Sequence, residues 1–232
     1  MAASKHDRQS EHSLFYTLAH DLKTPLVRIA YMAEASHKHE QTVQDIQAVA
    51  QQTLQTLDAY VLSLTNQQTQ LALEPVSPSA IVADAAYNLR QHAQDFMCHV
   101  HVIAPKKHTV ILAHRHSMAT ALTMLGRAFI ESQQNDTQKA ITLAAYATKK
   151  GIAIGVFSKT SSDVSKQFMA NARHFAGTAT RPFKGMAQGT ASQLFIADQL
   201  THSAHSVLRT ARRGSQQGLA FDMQLTSQLA LV

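Results

Sequence analysis

The chain has 232 residues, 45% of them hydrophobic, enough to bury a sizeable core in one or two domains as an ordinary soluble globular protein. Its 21 Lys and Arg against 15 Asp and Glu give a net charge of +6, which favours acidic partners. The basic residues are scattered, and the densest group (Arg209, Arg212, Arg213) lacks interleaved aromatics, which argues against nucleic acid. Cys98 is the single cysteine, so no internal disulfide framework exists and a reducing cytoplasm is the expected setting. No apolar run is long enough to span a bilayer, and the polar start Met1-Ala2-Ala3-Ser4-Lys5 lacks a signal-peptide pattern.

The first predicted element is a helix over about 8–36, with Leu14, Leu18, Leu22, Ile29 and Met32 on one stripe. It contains the run His20-Asp21-Leu22-Lys23-Thr24-Pro25-Leu26. His20 lies two residues from both Leu18 and Leu22, roughly 200° from the stripe at about 100° per residue, so it is expected to face solvent. An imidazole is a capable nucleophile near neutral pH. The adjacent Asp21 can hold the proton of one ring nitrogen and leave the other free. Thr24, at i+4, shares the face of His20 and can hold a water beside whatever the imidazole carries. Pro25 removes a backbone donor and loosens the helix locally.

A polar connector, His37-Lys38-His39, leads to a second helix over about 40–66 with Val43, Ile46, Val49, Leu54, Leu57, Val61 and Leu64 at helical spacing. One antiparallel pair cannot cover two apolar stripes, so a further partner is required, and a homodimeric four-helix bundle supplies it. The polar run Asn66-Gln67-Gln68-Thr69-Gln70 reads as a linker, and Pro75 and Pro78 frame a loop. Next come a helix over about 79–96, short strands at 100–103 and 109–113, and a helix over about 115–132. Alternating strands at 140–147 and 152–157 flank a turn at Lys149-Lys150-Gly151. A helix over 162–175, a loop to Gly189, a helix over 191–200 and a hairpin of 206–211 and 218–225 around Gly214 complete the reading. Helices mixed with hairpins point to an α/β sandwich.

The pairs His99/His101 and His114/His116 have no Cys, Asp or Glu cluster beside them, so they read as surface or packing histidines and no metal is expected. Cys98 reads as a small buried residue. No G-x-S-x-G elbow and no Walker-type loop is present.

The run from His20 to Leu26 resembles the H-box of two-component sensor histidine kinases, His-Asp/Glu-Leu-Arg/Lys-Thr-Pro-Leu, at every position. The order of elements that follows is similar to the ATP-binding domain of the same family. The resemblance implies an α+β chain. An antiparallel helical hairpin forming a dimeric four-helix bundle (residues 8–68) precedes an α/β sandwich of the histidine kinase ATPase type (residues 75–227). It also implies His20 as phosphoacceptor, Asp21 as the base that orients it, and Thr24 as the residue that positions water for phosphate removal. With no span before the H-box, input is expected through another protein.

The family's nucleotide motifs are matched poorly. In the helix Met118-Ala119-Thr120-Ala121-Leu122-Thr123-Met124-Leu125-Gly126-Arg127-Ala128-Phe129, Arg127 takes the place of the asparagine that helps hold magnesium. The strand ending at Phe157 runs into Ser158-Lys159-Thr160-Ser161-Ser162, without the adenine-reading aspartate and its glycines. The late segment keeps Gly189 but puts Ala191 and Gln193 where the family has two further glycines, and a Cβ there blocks close approach to a phosphate. Asn135, Asp136 and Asp163 stay open as ligands of a displaced site. The reading that follows is a phosphotransfer protein without a nucleotide cofactor, carrying phosphate on His20 to or from a response regulator receiver. A partner histidine kinase is a further candidate source of phosphate. Two alternatives stand beside it: a divergent autokinase using Mg·ATP, and a non-catalytic pseudokinase regulator.

Overall fold

The computed structural model describes residues 22–23, 25–33, 40–68, 72–105, 109–133, 139–149, 151–159 and 190–225. His20, Asp21, Thr24, Gly189, Asn135, Asp136, Asp163 and the helix expected over 162–175 lie outside the described residues.

Residues 25–33 are helical (α1), with Ile29 and Met32 half-buried, as their common stripe requires. Helix α2 spans Glu40–Gln68 and so continues into the polar run expected to be linker. Its apolar residues do not act as one stripe. Val49, Ala59, Tyr60 and Ser63 are buried, whereas Val43, Leu54 and Val61 are exposed. The helix therefore has a covered face, where Leu62 and Leu64 also pack against the core, and a second face whose aliphatic side chains are uncovered.

Strand β1 (Glu74–Val76) stands where a loop was expected, and it pairs antiparallel with β3 (Ile111–Ala113), placing Pro75 opposite Leu112. A proline fits there because a two-stranded ladder always leaves one side of each strand unpaired, so the missing N–H costs no ladder bond. Pro78 sits at the start of helix α3 (Pro78–Asp95), where its fixed φ is preorganised and its missing N–H is not needed. Ile81, Val82, Ala85, Leu89 and Ala93, spaced by three or four, form the buried face of α3. Helix α4 (Arg115–Ser132) is capped by His114, whose Nδ1 accepts from the Ser117 N–H at 3.3 Å. Arg115 forks onto Asp84 of α3 at 2.7 and 2.9 Å. Gly126 brings α4 close to α3, since a Cβ there would collide with Leu89.

The main sheet has strand order β2-β4-β5-β7-β6, built from β2 (Cys98–Ile103), β4 (Lys139–Thr148), β5 (Gly151–Ser158), β6 (Arg209–Arg213) and β7 (Gln216–Met223). β2 runs parallel to β4, and the remaining pairs are antiparallel. Ile141, Leu143, Ile152, Ile154, Val156, Leu219 and Phe221 join α3, α4 and helix α5 (Thr190–Ser203) in the principal core. The strands β4 and β5 flank the expected turn, and every residue of β5 is buried although its sequence reads as alternating. On its second face Phe157, Ala144, Ala211 and Ala220 form a smaller cluster with Ile103 and Tyr146. The architecture is α+β with a mixed sheet. Among the described residues no helix is long and apolar enough to cross a membrane.

Candidate functional site

Of the run that carries the proposed phosphoacceptor, the structure describes Leu22, Lys23, Pro25 and Leu26, all helical. The second half of the candidate site is described in more detail, and Arg127, Ser158 and Gln193 each hydrogen-bond to protein groups there.

Arg127 projects from α4 and is almost wholly buried. Its Nη2 donates to Gln55 Oε1 at 2.8 Å, and its Nη1 donates to Thr56 Oγ1 at 3.2 Å and to the Gln52 carbonyl at 3.4 Å. All three acceptors belong to α2. Thr56 completes the arrangement by donating its own hydroxyl to the Gln52 carbonyl at 3.0 Å. Gln52 is used twice, because its side-chain Nε2 also donates to Asp95 Oδ2 at the end of α3, at 3.0 Å. Burial lowers the Arg127 pKa, and Glu131 one turn later partly offsets that. A cation here opposes magnesium, and its two terminal nitrogens bond to α2 while Nε stays buried without a hydrogen-bond partner among the described residues.

Ser158 is equally occupied. Gln133 Nε2 donates to Ser158 Oγ at 2.8 Å, Ser158 Oγ donates to the Ala140 carbonyl at 3.1 Å, and the Ala140 N–H donates to Gln133 Oε1 at 3.2 Å. This closed ring joins the end of α4 to the start of β4 and the end of β5. A neutral hydroxyl in it lacks the second acceptor oxygen of a carboxylate.

Gln193, on the first turn of α5, donates from Nε2 to Glu131 Oε1 at 2.9 Å, and the same oxygen lies 3.2 Å from His92 Nε2 on α3. His92 packs its ring on Phe96 at 4.8 Å. Three helices thus meet on one carboxylate. A phosphate brought beside Gln193 would meet that negative charge.

Among the described residues no three His, Cys, Asp or Glu converge as metal ligands. His99 and His101 are exposed on β2, and His116 is exposed on α4. Cys98 is buried, and burial pushes its thiol pKa up, which makes it an inert packing residue. The sequence reading did not single out Gln52, Gln55, Thr56, Glu131, Gln133 or His92. The polar positions 52, 55 and 56 recur at one helical turn on α2, which marks a polar seam in a face otherwise read by its aliphatic residues.

No family model matches the chain, and no curated protein sequence matches it. Solved structures do match. The Acinetobacter baumannii histidine kinase AdeS superposes with a TM-score of 0.56 at 12% identity, covering 90% of this chain and 98% of that one. Full-length ShkA, solved in complex with AMPPNP, gives a TM-score of 0.54 at 12% identity over 95% of this chain, which spans 46% of the length of ShkA. The layered α+β unit and the helix before it together have the fold of a sensor histidine kinase core.

Proposed function

We propose that the chain is a histidine phosphotransfer protein of two-component signalling, carrying phosphate on His20 between a donor and a response regulator receiver. The observation that carries this reading is the use of Arg127. At the position where the kinase pattern has its magnesium-holding asparagine, this chain spends the guanidinium on Gln55, Thr56 and the Gln52 carbonyl. The rings around Ser158 and Glu131 support it, since each fills with protein side chains a position at which the kinase pattern serves a nucleotide. The seven-residue run around His20 keeps its full chemistry beside this occupied second half.

In this reading Asp21 holds one imidazole nitrogen protonated, so that the other attacks the phosphorus of an acyl phosphate. The carboxylate of the donor aspartate leaves with the P–O bond electrons, and phosphohistidine forms. Thr24 holds the water that later removes the phosphate. Residues 8–68 form the phosphoacceptor and dimerisation unit, and residues 75–227 the docking scaffold. The exposed Leu26, Val27 and Tyr31 of α1, with Val43, Leu54 and Val61 of α2, form the contact with a second copy. The net charge of +6 suits an acidic receiver.

The test is direct. The protein is mixed with labelled ATP alone, then with a phosphorylated receiver or an active histidine kinase. Acid-labile label on this chain only in the second case supports phosphotransfer. Label from ATP alone, lost in His20→Gln, makes it an autokinase.

A further inference from the structure

We infer that Arg127 is a positioning residue that fixes the second half of the chain against α2 in one orientation. The inference concerns geometry and stands whether or not His20 carries phosphate.

The polar contact is built on both sides. From α4, one guanidinium reaches three acceptors within a single turn of α2, spread over a side-chain amide, a hydroxyl and a main-chain carbonyl. From α2, Gln52 reaches Asp95 at the far end of α3. The planar fork of an arginine satisfies these acceptors only within a narrow range of angles between the helices. The apolar contact that α2 makes with the core, through Ala59 and Tyr60, buries area but tolerates sliding and rotation. Direction therefore comes from the guanidinium, and attraction from the apolar area. Its depth strengthens the constraint. A half-turn of α2 would leave a buried cation without acceptors, whereas the same motion across an apolar boundary leaves nothing unpaired.

The experiment reads the orientation itself. Cysteines introduced as Asp58→Cys on α2 and Lys149→Cys on the β4–β5 turn, both at exposed positions, carry spin labels in a Cys98→Ala background. The labelled protein is diluted with excess unlabelled protein so that only distances within one chain are read. A single narrow distance distribution is expected with Arg127 present. Arg127→Met fills the same space without donors. It is expected to keep or raise the melting temperature, because replacing a buried charge with a well-packed apolar chain is often neutral or stabilising. It should nevertheless at least double the width of the distribution. Arg127→Lys, which keeps one charged donor, should restore part of the narrowing. Gln55→Ala with Thr56→Ala, which removes acceptors from the less buried side, should broaden the distribution without touching α4. Should Arg127→Met fail to fold, this second variant carries the test. A distribution as narrow in Arg127→Met or in the Gln55/Thr56 variant as in the parent overturns the inference, and so does a parent distribution that is already broad.

Discussion

Gln193 and Glu131 meet at 2.9 Å, tying the first turn of α5 to the last turn of α4. Parting the two helices there means separating a buried carboxamide from a carboxylate that also faces His92.

The first prediction follows for nucleotide. Millimolar Mg·ATP should leave the melting temperature unchanged, because a ligand stabilises only in proportion to its occupancy of the native state. Thermal unfolding with and without nucleotide checks it. A magnesium-dependent rise would turn the reading toward an autokinase.

Substitutions in the run around His20 should separate three roles. His20→Gln should abolish phosphate acceptance while leaving melting temperature and dimer intact, since the sequence spacing predicts a solvent-facing side chain. Asp21→Asn should slow transfer by about tenfold or more, the worth of one charge-assisted hydrogen bond. Thr24→Ala should accept phosphate normally and hold it longer. Time courses of acid-labile label distinguish the three, and uptake by His20→Gln at the parental rate would move the acceptor elsewhere.

The exposed aliphatic residues of α2 predict the oligomeric state. Leu54 is 58% and Val61 52% exposed in the single chain. Covering such side chains is worth about 1.5–3 kcal/mol each, so Leu54→Asp with Val61→Asp should shift a dimer to monomer without unfolding the second half. Light scattering at tens of micromolar reads this, and a parent protein that is already monomeric there would end the dimer reading.

Gly126→Ala tests the closeness of α3 and α4. Alanine gains helix propensity of about 0.5–1 kcal/mol, but its Cβ would run into the buried Leu89 side chain. Overpacking typically costs about 1–3 kcal/mol, so a net loss of stability by urea denaturation is expected. A raised midpoint would show that Leu89 has room to shift.

The sequence made the element order legible because helical and alternating periodicities are local. Helix α4 was expected over 115–132 and spans Arg115–Ser132. β1 was missed because Pro75 reads locally as a breaker, and its pairing with Leu112 depends on a partner 37 positions away. The double burial of β5 was missed for a similar reason. Its outer-face residues Ala153, Gly155 and Phe157 alternate correctly, and only neighbouring strands decide whether such a face is covered. Within the candidate site, the substitutions at 127, 158 and 193 were legible as departures from a pattern. What those residues do instead was not, because Gln55, Gln133 and Glu131 become their partners only once the chain has folded.

The ring of Gln133, Ser158 and Ala140 bears on how this chain can change by mutation. Putting aspartate at 158 sets a buried charge beside the Ala140 carbonyl, and putting asparagine at 127 strips a donor fork from three acceptors on α2. The buried aspartate would cost stability through its desolvation, whereas the loss at 127 falls on the half-buried Thr56 and the exposed Gln55 and costs orientation more than stability. Each first move toward the kinase pattern therefore carries a loss of its own, in stability at 158 and in orientation at 127, so the present arrangement resists reversal one residue at a time.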